Sequence, residues 1–98
     1  MTAEALVVTN PELSLDTHGK ILVTRSTDPG WVFLIENAAG IIAEKGSLLS
    51  HTAIITRELH KPSMVNVREA CRRIRTGDLV ALDSTAGTIR ILRRAEAD

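Results

Sequence analysis

The chain has 98 residues, of which 44% are apolar, and its 12 basic and 12 acidic side chains cancel. This length supports one hydrophobic core but no large enclosed active site, and this apolar fraction indicates a folded chain, so we expect one domain over residues 1–98. The lack of net charge argues against binding of nucleic acid or an anionic membrane by bulk charge. Trp31 and Phe33 are the only aromatic residues, too few for a base-stacking surface.

Cysteine, histidine and hydropathy patterns indicate the compartment and argue against a metal site. Cys71 is the only cysteine, which favours a reducing environment and a packing role for its thiol. No apolar run is long enough to span a membrane, and residues 1–10 lack a signal-peptide pattern. The three histidines lack metal-ligand spacing, and His18 and His60 are expected at the surface. We therefore expect a cytoplasmic protein with no bound metal, no nucleic-acid partner and no membrane partner.

The first half of the chain predicts short strands around one helix. Asp28-Pro29 is a typical helix start, and Gly40 is a typical terminator. The apolar face of this helix is formed at helical spacing by Trp31, Leu34, Ile35 and Ala38. The strands are predicted at residues 4–9, 20–25 and 41–43.

The second half predicts two more helices and three strands. A helix over residues 50–60 is stopped by Pro62, and Asn66 caps a further helix that Gly77 ends. The apolar stripe of the first is Thr52, Ile55 and Leu59, and that of the second is Val67, Ala70, Cys71 and Ile74. Strands are expected at residues 63–65, 78–82 and 88–92, the last two as a hairpin before a polar tail at 93–98. The sum is a compact α/β or β/β/α sandwich.

The most informative stretch is GSLLSHTAIITRE at residues 46–58, a turn of small residues followed by a histidine on the first turn of a helix. Such a turn lets an anion approach the backbone, and the helix start supplies free N–H donors and partial positive charge. A neutral imidazole is a competent nucleophile near pH 7. The arrangement therefore suits a histidine, His51, that accepts and passes on a phosphoryl group.

The segment EKGSLLSHTAI at residues 44–54, followed by Arg57-Glu58 and Pro62, resembles the phosphohistidine (mobile, swivelling) domain of the phosphoenolpyruvate-utilising enzymes. That family includes phosphoenolpyruvate synthase, pyruvate phosphate dikinase, enzyme I of the sugar phosphotransferase system and rifampin phosphotransferase. The upstream ILVT and TDPGW segments look most like the synthase and rifampin-phosphotransferase branch. The resemblance covers about residues 20–92.

The resemblance implies a swivelling β/β/α sandwich in which His51 is transiently phosphorylated. It implies that the chain binds no cofactor itself, and that Mg-ATP, phosphoenolpyruvate or both bind on partner domains. Those partners are an ATP-grasp nucleotide-binding domain and an acceptor or phosphoenolpyruvate/pyruvate domain, in the same chain or a separate one. The chain is then a carrier within a larger phosphotransferase, not a complete enzyme. Pyruvate, an antibiotic hydroxyl and a phenol all remain open as acceptors.

Residues next to His51 are expected to bind or position the phosphate. The backbone of Gly46 and Ser47 is close enough to contact it, and Thr52 belongs to the same motif. Ser50 is either the helix N-cap or a hydroxyl donor to the phosphate or imidazole, and the two roles are compatible.

Three residues farther along the chain are candidates for support or docking. Thr24 and Glu44 lie at strand ends from which either could steer His51. Arg57 lies nearly two helical turns beyond His51, so a surface ion pair or contact with a partner is favoured over contact with the phosphate.

Several residues depart from the family pattern. Ser47 and Asn66 replace glycines, and His60-Lys61 replaces the usual Gly-Ile before Pro62. Histidine and asparagine tolerate left-handed backbone better than most residues, so the fold is expected to survive. The departures leave an alternative open: a stand-alone regulatory or interaction module that keeps the fold without transferring phosphate.

Overall fold

The computed structural model describes residues 1–8, 16–25, 31–45 and 51–95. Within these ranges the strands are β1 (Thr2–Val7), β2 (Ile21–Thr24), β3 (Gly40–Ala43), β4 (Ser63–Met64), β5 (Leu79–Asp83) and β6 (Thr88–Arg93). The helices are α1 (Val32–Asn37), α2 (His51–Glu58) and α3 (Ala70–Arg73). The predicted order of strands and helices is confirmed. The predicted helix start at Asp28-Pro29 lies outside the described residues.

The strands form one mixed sheet in the order β4-β3-β2-β1-β5-β6. The first four are parallel, whereas β5 runs antiparallel to both β1 and β6, which confirms the predicted hairpin. Every residue of β2 and β3 is buried. Such strands are covered on both faces, which explains why their sequences are nearly continuous apolar runs.

The sheet curls until β5 lies over β3. A methyl group placed on Gly40 would lie 3.1 Å from Leu82 Cδ2, 3.1 Å from Pro62 O and 3.3 Å from Met1 Sδ. In a flat sheet β3 and β5, three strand spacings apart, would be separated by roughly 14 Å. The prediction that Gly40 terminates a helix is therefore wrong: α1 ends at Asn37, and Gly40 opens β3 at a point with no room for a side chain.

Two apolar clusters fill the space on the two sides of the parallel strands. Alternate residues point to opposite faces of a strand, so Ile21 and Val23 join one cluster and Leu22 joins the other. The first cluster lies under the β5–β6 hairpin and α3, with Val80, Leu82, Ala70 and Ile74. The second lies under α1, with Leu34 and Ile35 fully or almost fully buried. Hairpin, parallel strands and helices form the predicted β/β/α sandwich, which is confirmed.

The predicted third helix is shorter than expected and begins later. Asn66 does not cap it, because α3 begins only at Ala70, four residues later, and both Asn66 and Glu69 have a left-handed φ (61° and 58°). The residue before the helix is instead Glu69, and α3 is a single turn. The N–H of Val67 donates to Ala43 O at 3.0 Å, which prolongs the path beside β3 and delays the helix. The predicted apolar residues nevertheless all contact the first cluster: Val67, Ala70, Cys71 and Ile74.

The predicted polar tail also begins later, because Arg93 belongs to β6 and the next two residues are anchored at Asp78. Asp78 is fully buried, and its carboxylate accepts hydrogen bonds from the N–H groups of Ala95 (2.7 Å) and Arg75 (2.9 Å). The Arg94 guanidinium donates to it at 3.1 Å. Burial by itself raises the pKa of Asp78, but these hydrogen bonds and the Arg94 charge lower it overall.

Candidate functional site

Helix α2 is described over His51–Glu58, within the helix predicted over residues 50–60, and it connects two neighbouring parallel strands. The chain leaves β3 at Ala43, runs along α2 and returns as β4. In such a β–α–β unit the helix start lies near the carboxyl ends of the strands, the edge at which α/β proteins commonly bind ligands. The free N–H groups and the dipole of a helix start favour an anion there.

The residues predicted to hold the phosphate are only partly covered by the structure. Gly46, Ser47 and Ser50 lie outside the described residues. His51 and Thr52 are described as the first two residues of α2, without their side chains. The roles assigned to these residues therefore stay predictions.

Helix α2 is fastened to the body of the protein along one side. Ile55 and Leu59, the second and third members of the predicted stripe, are half-buried and pack against the cluster under α1. Thr56 is buried as well, and its hydroxyl donates to Ser63 Oγ at 3.0 Å. The sequence pattern missed Thr56, because a threonine between apolar positions gives no sign that its hydroxyl has a partner. The other sides of α2 are exposed at Ile54, Arg57 and Glu58.

Backbone hydrogen bonds between β2 and β3 continue past the last residue of β3, at Glu44 and Lys45. The N–H of Glu44 donates to Thr24 O at 2.9 Å, and that of Lys45 donates to Arg25 O at 2.8 Å. Thr24 is fully buried at the last position of β2. These bonds fix the point at which the chain departs toward His51.

Glu44 connects this departure point to α3. Its Oε2 accepts a hydrogen bond from the N–H of Cys71 at 2.7 Å. Burial raises the pKa of the Cys71 thiol to about 11, assisted by a hydrogen bond and charge repulsion from Glu44 and opposed by the Arg25 charge. Cys71 thus packs as predicted and stays a protonated thiol at neutral pH. The prediction that Glu44 or Thr24 steers His51 is not tested by these contacts.

Two departures from the family pattern adopt the backbone that a glycine would. His60 has a φ of 55° and Asn66 a φ of 61°, both in the left-handed region. The expectation that these residues tolerate such a backbone is confirmed. His18 and His60 are both exposed, also as predicted.

The described residues offer no metal site and no membrane span. No three histidine, cysteine, aspartate or glutamate side chains among them are grouped to hold an ion. None of the helices in the described ranges is long and apolar enough to cross a bilayer.

Comparison with known proteins assigns the family. Residues 16–87 match the family described as PEP-utilising enzyme, mobile domain. The chain is 46% identical over 74 residues to a rifampicin phosphotransferase of Streptomyces sviceus, covering 76% of this chain and 8% of that protein. It is 40% identical over 78 residues to a probable phosphoenolpyruvate synthase of Pyrococcus abyssi, covering 80% and 10%.

The fold has a solved counterpart in a solution structure of Enzyme I (nEIt). The TM-score is 0.70 at 26% identity, over 84% of this chain and 34% of that one. The chain therefore belongs to the mobile domains of PEP-utilising enzymes. It spans about a tenth of the length of the curated relatives that it matches.

Proposed function

We propose that the chain is a phosphoryl carrier in which His51 accepts a phosphoryl group at one active site of a larger phosphotransferase and delivers it at another. The observation that carries this proposal is the position of His51 on α2, the helix between parallel strands β3 and β4, in a mobile domain of this family. A covalent intermediate on a carrier lets two distant substrates react without meeting. Each favourable interaction of a phosphate with a helix start contributes roughly 0.3–1 kcal/mol.

The chemistry consists of two displacements at phosphorus. An imidazole nitrogen of His51 attacks a phosphorus atom of ATP, a P–N bond forms, and the rest of the nucleotide leaves with the electrons of the broken P–O bond. With phosphoenolpyruvate as the donor, the leaving group is the enolate of pyruvate. In the second step an acceptor oxygen attacks the phosphorus, its proton passes to a base, and the electrons of the P–N bond return to the imidazole.

Mg-ATP or phosphoenolpyruvate is bound by partner domains in this proposal. The small share of the relatives' length that the chain covers is consistent with an ATP-grasp domain and an acceptor domain beside it. Gly46, Ser47, Ser50 and Thr52 hold the phosphate on the carrier. The reaction takes place in the cytoplasm, where ATP is abundant.

The rival interpretation, a regulatory module that keeps the fold without transfer, drew on the departures at Ser47, His60 and Asn66. The backbone at His60 and Asn66 is the one that glycine would adopt, so those two replacements give no reason to expect a disrupted domain. These two replacements therefore give no support to a regulatory module that keeps the fold without transferring phosphate.

The direct test is detection of acid-labile phosphate on the chain after incubation with Mg-ATP and the ATP-grasp domain of the enzyme to which it belongs. Intact mass and phosphorus NMR should show one phosphoryl group that is lost in acid. His51→Ala should abolish the label while leaving the far-UV circular dichroism unchanged. His60→Gly is the matched control, because it removes another histidine just beyond the carboxyl end of the same helix and should leave labelling intact.

Either of two results would contradict the proposal. Labelling of His51→Ala would place the phosphoryl group on another residue. A complete lack of label on the wild-type chain, with the same donor domain shown to hydrolyse ATP or label another substrate, would favour the regulatory module.

A further inference from the structure

A solvent-open groove of about 390 Å³ lies between the carboxyl end of α2, the edge strand β4 and the turn that joins β5 to β6. It exists because the curled sheet brings the two ends of the strand order toward each other. Its polar and charged lining comes from Arg57, Lys61, Ser63 and Ser84. Met64 and Gly87 complete its floor and rim.

The groove is cationic among the described residues. Neither Arg57 nor Lys61 forms an ion pair with any described side chain, in contrast to Arg72 with Glu69 and Arg94 with Asp78. Two acidic residues lie near it. Asp83 Oδ1 accepts the N–H groups of Thr85 (3.1 Å) and Ala86 (3.0 Å), and the Glu58 side chain is exposed next to Arg57.

The floor of the groove contains an unpaired strand edge. β4 ends the strand order, and within the described ranges its outer edge pairs with no other strand. Such an edge can accept an extended segment through main-chain hydrogen bonds, while side chains of that segment reach the neighbouring groups. A strand edge beside two cations that form no ion pair with a described side chain is complementary to a segment that carries carboxylates.

We infer that this groove docks an extended acidic segment of the partner domain that donates the phosphoryl group. The inference rests on the proposed function for the identity of the partner. A free phosphate is a poorer occupant, because the groove lies at the carboxyl end of α2, where helix carbonyls and the dipole disfavour an anion held close to the backbone. The side-chain carboxylates of a docked segment would instead contact Arg57 and Lys61 at a distance from the helix carbonyls.

The location suits a docking role rather than a catalytic one. Arg57 is six residues beyond His51, which corresponds to about 9 Å along a helix axis. A segment bound in the groove would therefore orient the donor domain against the same helix that carries the reacting histidine without touching the phosphoryl group. This gives the predicted docking role of Arg57 a specific surface and a specific kind of occupant.

The test is an NMR titration of the isotope-labelled chain at low salt with a short all-glutamate peptide, with an all-glutamine peptide and inorganic phosphate as separate arms. The glutamate peptide should shift the amides of residues 56–65 and 84–87. The Arg57→Ala/Lys61→Ala variant should bind it about fivefold more weakly, as expected for the loss of two exposed charge pairs. Arg72→Ala/Arg90→Ala removes equal charge elsewhere and should leave binding at the groove unchanged.

The inference is overturned if the shifts centre on α3 instead, if the glutamine peptide binds equally well, or if the groove variant keeps its affinity. Equal or stronger binding of inorganic phosphate at the groove would assign it to a small anion. The titration requires no phosphoryl transfer, so a missing label on His51 with binding in the groove would reject the carrier proposal and the identity of the partner, but not the acidic docking surface. Normal labelling without binding would reject only the docking surface.

Discussion

The corner around Asp78 and helix α2 are held in place by opposite means. At the corner, the fully buried carboxylate of Asp78 accepts hydrogen bonds from Arg75, Arg94 and Ala95, and so joins residues 75–78 to residues 94–95. Helix α2 rests on the half-buried side chains of Ile55 and Leu59 and on one hydroxyl contact.

The two regions differ in the kind of interaction that holds each of them in place. Directional bonds to a buried charge fix one geometry at the corner, where the Asp78 carboxylate is inaccessible although the Arg94 side chain that binds it is 60% exposed. Apolar contacts of the half-buried Ile55 and Leu59 hold α2 along one side, and Ile54, Arg57 and Glu58 on the same helix are exposed. Helix α2 is therefore supported along one side and, at these three residues, exposed to solvent.

The largest effect is expected when the apolar support beneath the helices is removed. Leu34 is 2% exposed in the cluster that contacts Ile55 and Leu59. Leu34→Ala should lower the free energy of unfolding by about 2–5 kcal/mol, because it removes buried surface and leaves a cavity. Urea unfolding measures this. Leu92→Ala, at a leucine 49% exposed, is the control and should change stability by less than about 0.5 kcal/mol. Equal losses would show that Leu34 is not a core residue.

The next largest effect is expected at the corner. Asp78→Ala should cost about 2–4 kcal/mol, because it leaves two backbone N–H groups without their acceptor and removes a charged hydrogen bond. Asp83→Ala is the matched control: its carboxylate also accepts two N–H groups, but in an exposed turn, so its loss should cost less than about 1 kcal/mol. Equal losses of stability from Asp78→Ala and Asp83→Ala would show that burial of the Asp78 carboxylate does not increase its contribution to stability.

The corner should also respond to pH. The pKa of Asp78 is lowered in the folded protein, so its stabilising contribution is present above the ordinary carboxyl pKa of about 3.9 and is lost as the pH falls through the folded value. The wild-type chain should therefore lose more stability than Asp78→Asn as the pH is lowered below about 4. Parallel pH curves for the two proteins would contradict this assignment.

The smallest effect is expected on α2 itself. Leu59→Ala should cost roughly 1–2 kcal/mol, because the side chain is only half-buried. Ile54→Ala, on the same helix and 45% exposed, should lie within about 0.5 kcal/mol of wild type. A larger loss of stability from Leu59→Ala than from Asp78→Ala would contradict the expectation that the hydrogen bonds of Asp78 contribute more than the apolar contacts of α2.

Local patterns predicted the elements well. Alternating and helical spacing, together with turn residues, identified the strands, the β5–β6 hairpin and helix α2. The motif around His51 identified the family, because turn, histidine and helix are contiguous in sequence. The apolar face of α3 was also predicted, although Asn66 was assigned the wrong role since a left-handed residue and an N-cap attract similar residue types.

Long-range features gave no local signal. Asp78 and Ala95 are 17 positions apart, so nothing in the sequence indicated that one accepts a hydrogen bond from the other. Gly40 was taken for a helix terminator, because its true neighbour, Leu82, is brought there only by the curl of the sheet. The groove beside Arg57 is likewise formed by segments distant in sequence, and only the folded chain brings Ser84 near Lys61.

The burial of Cys71 and its contact with Glu44 have a practical consequence for attaching dyes to this domain. A thiol with a pKa near 11 contains almost no thiolate at neutral pH, so maleimide and iodoacetamide dyes should attach to it slowly. A cysteine introduced at an exposed position such as Arg90 would be labelled first, without removal of the native one. Fluorescence energy transfer from that dye to a second one on a partner domain would then measure whether the distance between the two domains changes.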